Sequence, residues 1–292
     1  MSALAPRPGI MKIAPYVPGK DSVEGKETIA KLSSNEGALG PSPKAMAAYA
    51  KAAAELHRYP DGGAEKLRAA IGRHYGLDAQ RIVCLANPNN PTGSYLTKDD
   101  VRRLHAGLPK NVLLVIDAAY AEYVSRNDYE SGVELVDQAE NVVMTRTFSK
   151  IYGLGGLRLG WMYGPAGIVD VMSRLRQPFN VNLAAQIAGI AALEDIAHTD
   201  ASRTNNDIWL PWLSTELAKL GLKPLPSVGN FLLVGFGSKE HAAAANDWMM
   251  NDGLIPRMVA GYGLPEHLRI TIGTEAEVKA VRESLARFVA GK

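Results

Sequence analysis

Five apolar residues in a row, Val112-Leu113-Leu114-Val115-Ile116, end abruptly at Asp117. An unbroken run of this kind predicts a parallel strand covered on both faces, with its last residue at the carboxyl end. Asn141–Thr147 predicts a second such strand and Arg81–Leu85 a third. The intervening stretches predict helices. Ser42-Pro43 opens an Ala-rich helix to about His57, with Ser42 as N-cap and Pro43 in the first turn. After a turn at Arg58–Gly63, a second helix runs to Tyr75 and stops at Gly76. Thr97 caps a helix to about Leu108, with Asp100 three residues on, and another helix lies around 130–139. Asn87-Pro88-Asn89-Asn90-Pro91-Thr92-Gly93 excludes regular structure, because its prolines lack donors and its asparagines favour turns.

Helices are predicted from about Ala166 to Arg176, Asn182 to Glu194 and Ala201 to Leu220. The pattern then changes. Short strands at 230–234, 254–258 and 267–272 alternate with helices at 239–251 and 275–289, the last opened by the capping box of Thr274 and Glu277. The expected organisation is an arm over residues 1–41, a large α/β domain over 42–200 with a mostly parallel sheet, and a small α+β domain over 201–292. In open parallel sheets, ligands bind beyond the carboxyl ends of the strands. Asn90, Asp117 and Lys150 all fall there.

Composition narrows the classes. With 292 residues and 47% hydrophobic content the chain can build a full core. Its 32 basic and 30 acidic residues leave no polyanion-binding stripe, so no nucleic acid partner is expected. No apolar run is long enough to span a bilayer, and the N-terminus lacks the apolar stretch of a signal peptide; a cytoplasmic setting is expected. The single cysteine, Cys84, reads as a small apolar strand residue. The six histidines show no metal-ligand spacing, so no metal is expected.

The candidate chemistry centres on Thr147-Phe148-Ser149-Lys150, with Arg158 beyond a glycine-rich run. A lysine amine shielded from water favours its neutral, nucleophilic form. A hydroxyl beside it and a nearby guanidinium suit a phosphate. Asp117 at a strand end needs a cationic partner, which a protonated pyridine nitrogen would supply. Asn90 and Tyr120 could each donate to a ring oxygen. Arg269, inside the apolar run Leu268-Arg269-Ile270, calls for a bidentate anionic partner, and Arg257 is a similar case. Gly153-Leu154-Gly155-Gly156-Leu157-Arg158 lacks the last glycine of a dinucleotide fingerprint and opens no clear helix.

These motifs, in this order, resemble the class II pyridoxal-phosphate-dependent aminotransferases of fold type I. Within that group they are most similar to the histidinol-phosphate aminotransferases. The resemblance rests on Leu32–Glu36, Arg58-Tyr59-Pro60, Pro88–Gly93, Asp117–Tyr120, Thr147–Lys150, Gly156–Gly160, Asn230-Phe231-Leu232 and Leu268–Gly273, and covers nearly the whole chain. It implies pyridoxal phosphate as cofactor, with Lys150 holding its aldehyde carbon and then shuttling the proton. Asp117 would hold the pyridine nitrogen, Asn90 and Tyr120 the ring oxygen, and Ser149 and Arg158 the phosphate. Arg269 would hold a substrate carboxylate, with Arg257 and Asn35 as further substrate contacts. Tyr59 would reach the phosphate of a neighbouring subunit's cofactor, which implies a homodimer. The implied reaction moves an amino group between histidinol phosphate and 2-oxoglutarate, in histidine biosynthesis. Threonine-phosphate decarboxylase and other class II aminotransferases are the related alternatives.

The sequence departs from this pattern in one place. In the family, the strand matching Arg81–Leu85 leads into a Gly-Ser-Asp type turn, a phosphate-binding helix and, later, an aromatic residue that stacks on the cofactor. Here Leu85 runs directly into Ala86-Asn87-Pro88. Roughly two β-α units, about 60–80 residues, are absent at ~30 or more per unit. Unpaired strands and uncovered apolar faces are then expected. The departure also supports an alternative reading, a truncated paralogue acting as a weak cofactor binder or scaffold.

Overall fold

The computed structural model describes residues 24–26, 29–33, 35–52, 65–75, 88–110, 112–176 and 179–291. The expected turn at Arg58–Gly63 with Tyr59, the expected strand Arg81–Leu85 with Cys84, and the Leu85–Ala86 junction lie outside these residues. In chain order the elements are β1 (Ala30–Lys31), α1 (Pro43–Ala52), α2 (Glu65–Tyr75), α3 (Lys98–Ala106), β2 (Leu114–Asp117), α4 (Val133–Gln138), β3 (Val142–Thr147), β4 (Gly160–Tyr163), α5 (Ala166–Leu175), α6 (Leu183–Glu194) and α7 (Ile196–Lys219). Then follow β5 (Lys223–Pro224), β6 (Phe231–Gly235), α8 (Lys239–Asn251), β7 (Leu254–Ile255), β8 (Arg257–Met258), β9 (His267–Thr271) and α9 (Glu275–Val289).

Several boundaries follow from side-chain capping. The Ser42 hydroxyl accepts from the Ala45 amide at 3.0 Å, Thr97 from Asp100 at 3.2 Å and Asn182 from Ala185 at 2.8 Å. The Thr274–Glu277 capping box opens α9 as expected. Helix α7 begins at Ile196, earlier than its Ala-rich start suggested, and runs through the expected division at residue 200.

The first sheet has the order β2-β3-β4 among the described residues. β2 and β3 are parallel, with Asp117 opposite Thr145; β4 runs antiparallel to β3, with Gly160 opposite Thr147. β4 was not evident in the sequence, because Gly160-Trp161-Met162-Tyr163 is short and becomes a strand through its pairing with β3. The second sheet, β5-β6-β9-β8, is antiparallel. The expected strand at 254–258 is divided at Pro256: β7 pairs with β1 from the N-terminal segment, and β8 pairs with β9.

Two large apolar clusters form the interior, with a small third one of Val143, Met162 and Val169. One gathers Phe148, Ile151, Tyr152, Trp161 and the inner faces of α2 and α6. The other gathers Leu213, Leu217, Leu232, Ile270 and Leu285, and takes in Ala30 and Leu32. A buried ion pair, Arg146 to Glu122 at 2.8 Å, ties β3 to the turn after β2.

The reading of Val112–Ile116 as a strand covered on both faces needs correction. Ile116 is buried, but Leu113 and Val115 are 45% and 38% exposed. Leu113 and Val115 share the face of the strand that carries Asp117, opposite to Ile116, and that face is exposed. The amides of Leu114 and Ala118 donate to β3, so those of Leu113, Val115 and Asp117 point to the opposite edge, where no described strand lies.

Candidate active site

The carboxyl ends of β2 and β3 open into one cavity of about 540 Å³. Asp117 ends β2, and Ser149 and Lys150 follow β3. Tyr120 comes from the turn after β2, Asn90 from the Pro-Asn-Asn-Pro loop, and Arg158 from the glycine-rich turn before β4. All six line this cavity. They come from four stretches spread over about 70 residues of sequence, and the parallel β2–β3 pairing is what brings them together.

The turn after Lys150 is shaped by close backbone approaches. A Cβ on Gly153, whose φ is +67°, would lie 2.3 Å from the Gly40 carbonyl oxygen. One on Gly37 would lie 2.8 Å from the Lys150 carbonyl oxygen. The N-terminal segment thus presses directly on the lysine's backbone. Desolvation lowers the Lys150 amine to a pKa of about 8, and the positive charge of Arg269 adds to the effect, while Glu36 opposes it. The ammonium nitrogen lies 5.7 Å from the centroid of the Tyr120 ring.

Asp117 opens onto the cavity and is exposed there. Desolvation raises its carboxyl pKa to about 6, opposed by a hydrogen bond from the Ala119 amide. Among the described residues it has no ion-pair partner. Arg158 adopts a left-handed φ of 55° and donates to the Gly155 carbonyl at 2.8 Å. The Ser149 amide donates to the Thr147 hydroxyl at 3.0 Å, which fixes the start of the lysine turn.

A second layer lies behind the cavity wall. Arg269, on β9, is buried; it donates to the Asn90 side-chain oxygen and to the Ser33 carbonyl, the latter at 2.5 Å. Its guanidinium sits 5.5 Å from the Phe231 ring centroid. Phe231 in turn meets Tyr120 edge-on at 5.3 Å. Asn35 is fully buried, and its amide nitrogen donates to the Tyr120 hydroxyl at 3.1 Å. Arg257 stands directly opposite Arg269 in the β8–β9 register and is half-buried. The sequence reading missed Glu36, Phe231 and Thr271 as parts of this arrangement. Each lies in a stretch that carries the resemblance, but only long-range packing shows its contact with the site.

Residues 64–285 match the family described as aminotransferase class I and II. The chain belongs to that family. The histidinol-phosphate aminotransferase of Paramagnetospirillum magneticum is 47% identical to this aminotransferase, covering 99% of each chain; that of Granulibacter bethesdensis is 46% identical, covering 99% and 97%. Among solved structures, the histidinol-phosphate aminotransferase from Sinorhizobium meliloti, in complex with pyridoxal-5'-phosphate, superposes with a TM-score of 0.88 at 25% identity, covering 99% of each chain. The fold is therefore that of the fold-type I aminotransferases. The Paramagnetospirillum alignment runs over 361 positions, 69 more than the 292 residues of this chain. At least 69 positions of that relative thus have no counterpart here, in keeping with the departure read at Leu85–Ala86.

Proposed function

We propose that this aminotransferase moves an amino group between L-histidinol phosphate and 2-oxoglutarate with pyridoxal phosphate as its cofactor, a step of histidine biosynthesis. The observation that carries the chemistry is the single cavity holding a lysine of lowered pKa and a carboxylate without an ionic partner. The substrate assignment follows the relatives that are 46–47% identical along nearly their whole length.

The residues present fit the cofactor. Asp117 lacks a cation, and a protonated pyridine nitrogen is one. Arg158 and Ser149 offer a guanidinium and a hydroxyl for the phosphate. The Asn90 oxygen faces Arg269, so its amide hydrogens remain for a ring oxygen, together with the Tyr120 phenol. When bound, pyridoxal phosphate supplies an electron sink for charge developing at the substrate carbon that bears the amine. Lys150 would hold the cofactor's aldehyde carbon. As a free amine it takes the proton from that substrate carbon and returns it, a role its pKa near 8 suits. Arg269, braced behind the cavity wall by Asn90 and Ser33, supplies the positive charge that would attract a substrate anion, with Arg257 beside it.

We further read the two apolar clusters as a large and a small lobe, and the active form as a cytoplasmic homodimer in which Tyr59 reaches the partner's cofactor. The test is an assay of glutamate formation from histidinol phosphate and 2-oxoglutarate, run beside threonine phosphate and other amino donors. Turnover with histidinol phosphate that vanishes in Lys150→Ala supports the assignment; equal turnover by the variant overturns it. The absence of at least 69 of that relative's positions favours a second reading, a cofactor binder without turnover. Cofactor uptake with no amino transfer to any donor would select it.

A further inference from the structure

Tyr120 lines the cavity, yet its orientation is set from outside it. The chain of contacts begins on β9. The Asn35 backbone amide donates to the Thr271 hydroxyl oxygen at 3.0 Å, and the Asn35 side-chain oxygen lies 2.9 Å from that same hydroxyl. At the other end of the Asn35 side chain, its amide nitrogen lies 3.1 Å from the Tyr120 oxygen. Asn35 holds a left-handed φ of 55°, a conformation asparagine tolerates better than most residues. Thr271, Asn35 and Tyr120 are all buried.

The placement of the Asn35 amide, its oxygen toward Thr271 and its nitrogen toward Tyr120, sets which way this chain runs. The Thr271 hydroxyl has one proton and two oxygen neighbours, Asn35 Oδ1 at 2.9 Å and the Leu32 carbonyl at 2.7 Å. Leu32 already accepts from the Thr271 backbone amide at 3.0 Å. Asn35 Oδ1 has no other donor among the described residues. If the hydroxyl proton goes to Leu32, two buried oxygens face each other with no proton between them. If it goes to Asn35, every group is satisfied and the Asn35 NH₂ is committed to Tyr120. The phenol oxygen is then occupied as an acceptor, and its own proton is left for the cavity.

We propose that Thr271 is a positioning residue. Its hydroxyl fixes the Asn35 amide so that Tyr120 accepts from Asn35 and donates into the cavity. The proposed function supplies only the identity of the acceptor there, an oxygen of the bound cofactor. A hydrogen bond received from Asn35 also makes the phenol a better donor, which partly offsets the rise in pKa that burial imposes.

The test uses the full chain without added cofactor, labelled with ¹³C at tyrosine Cζ, the Tyr120 resonance being assigned by its loss in Tyr120→Phe. In Thr271→Val the amide is free to turn over and accept the phenol proton. The Tyr120 Cζ resonance is expected to move downfield, as the phenol loses the bond it accepts and donates to Asn35 instead, while Thr271→Ser keeps the wild-type position. Asn35→Gly, which tolerates the left-handed backbone and removes the amide, is expected to shift it in the same direction as Thr271→Val. Pyridoxal phosphate affinity should fall about fivefold in Thr271→Val, the equivalent of one hydrogen bond, and recover in Thr271→Ser. A Cζ resonance unmoved by Thr271→Val while Asn35→Gly shifts it overturns the positioning role. A wild-type resonance already at the Thr271→Val position, that of a phenol that donates without accepting from Asn35, overturns the assigned direction. The predicted shifts in a protein that takes up no pyridoxal phosphate sustain the relay and overturn the proposed function alone.

Discussion

Lys150 and Asp117 are opposite cases of one physical effect. Burial disfavours the charged form of each, so the lysine falls to a pKa of about 8 and the aspartate rises to about 6. The lysine's folded-state pKa lies below its ordinary value of 10.5. The unfolded chain therefore binds more protons between the two, and the unloaded protein gains stability from this group as pH rises through that window. Below pH 8 the amine is mostly charged, so the rate of pyridoxal phosphate capture should climb about tenfold per pH unit and level off above pH 8. Absorbance kinetics across pH would check this; a rate flat from pH 6 to 9 would contradict it. For Asp117 the sign reverses. Its folded pKa lies above the ordinary 3.8, so the native state binds more protons and stability is lost as pH rises through about 6. Asp117→Asn should raise the melting temperature of the unloaded protein at pH 7.5 while weakening cofactor binding. Thermal melts with and without pyridoxal phosphate would show the two effects separating.

At the scale of elements, the site depends on how tightly the N-terminal segment packs on the lysine turn. Gly153→Ala places a methyl against the Gly40 carbonyl at a positive φ, and should cost about 1–3 kcal/mol and lower cofactor affinity. Thr274→Ala, which removes the cap of α9, should cost about 1 kcal/mol and leave affinity unchanged. Denaturant titration of both variants distinguishes damage at the site from damage elsewhere. The two cases also show what the sequence made legible. The α9 cap is local: threonine and glutamate three residues apart announce it. The strand ends carrying Asp117 and Lys150 were legible for the same reason, since apolar runs stop there. The glycine contact, the pairing of β1 with β7, the strand β4 and the Thr271–Asn35–Tyr120 chain join residues far apart in sequence. No local pattern encodes them. They appear only when the chain is folded.

Across the whole molecule, no strand among the described residues pairs with the outer edge of β2, in a chain that lacks at least 69 positions of the Paramagnetospirillum relative. Leu113 and Val115 are exposed beside outward-pointing backbone groups, with no charge or proline within Leu113–Ile116 to guard them. Edges of this kind associate. Val115→Lys should raise the concentration at which the protein begins to scatter light, without changing its far-ultraviolet circular dichroism; unchanged scattering would mean that other surfaces govern association. The cavity itself lies at the carboxyl ends of β2 and β3, lined by Asn90, Asp117, Tyr120, Ser149, Lys150 and Arg158. The central claim is that these residues still build a pyridoxal phosphate site around Lys150. Incubation with pyridoxal phosphate, reduction with borohydride and peptide mapping by mass test it most directly. Near-stoichiometric labelling of Lys150 is the predicted result. Labelling absent, or scattered over exposed lysines, would contradict it.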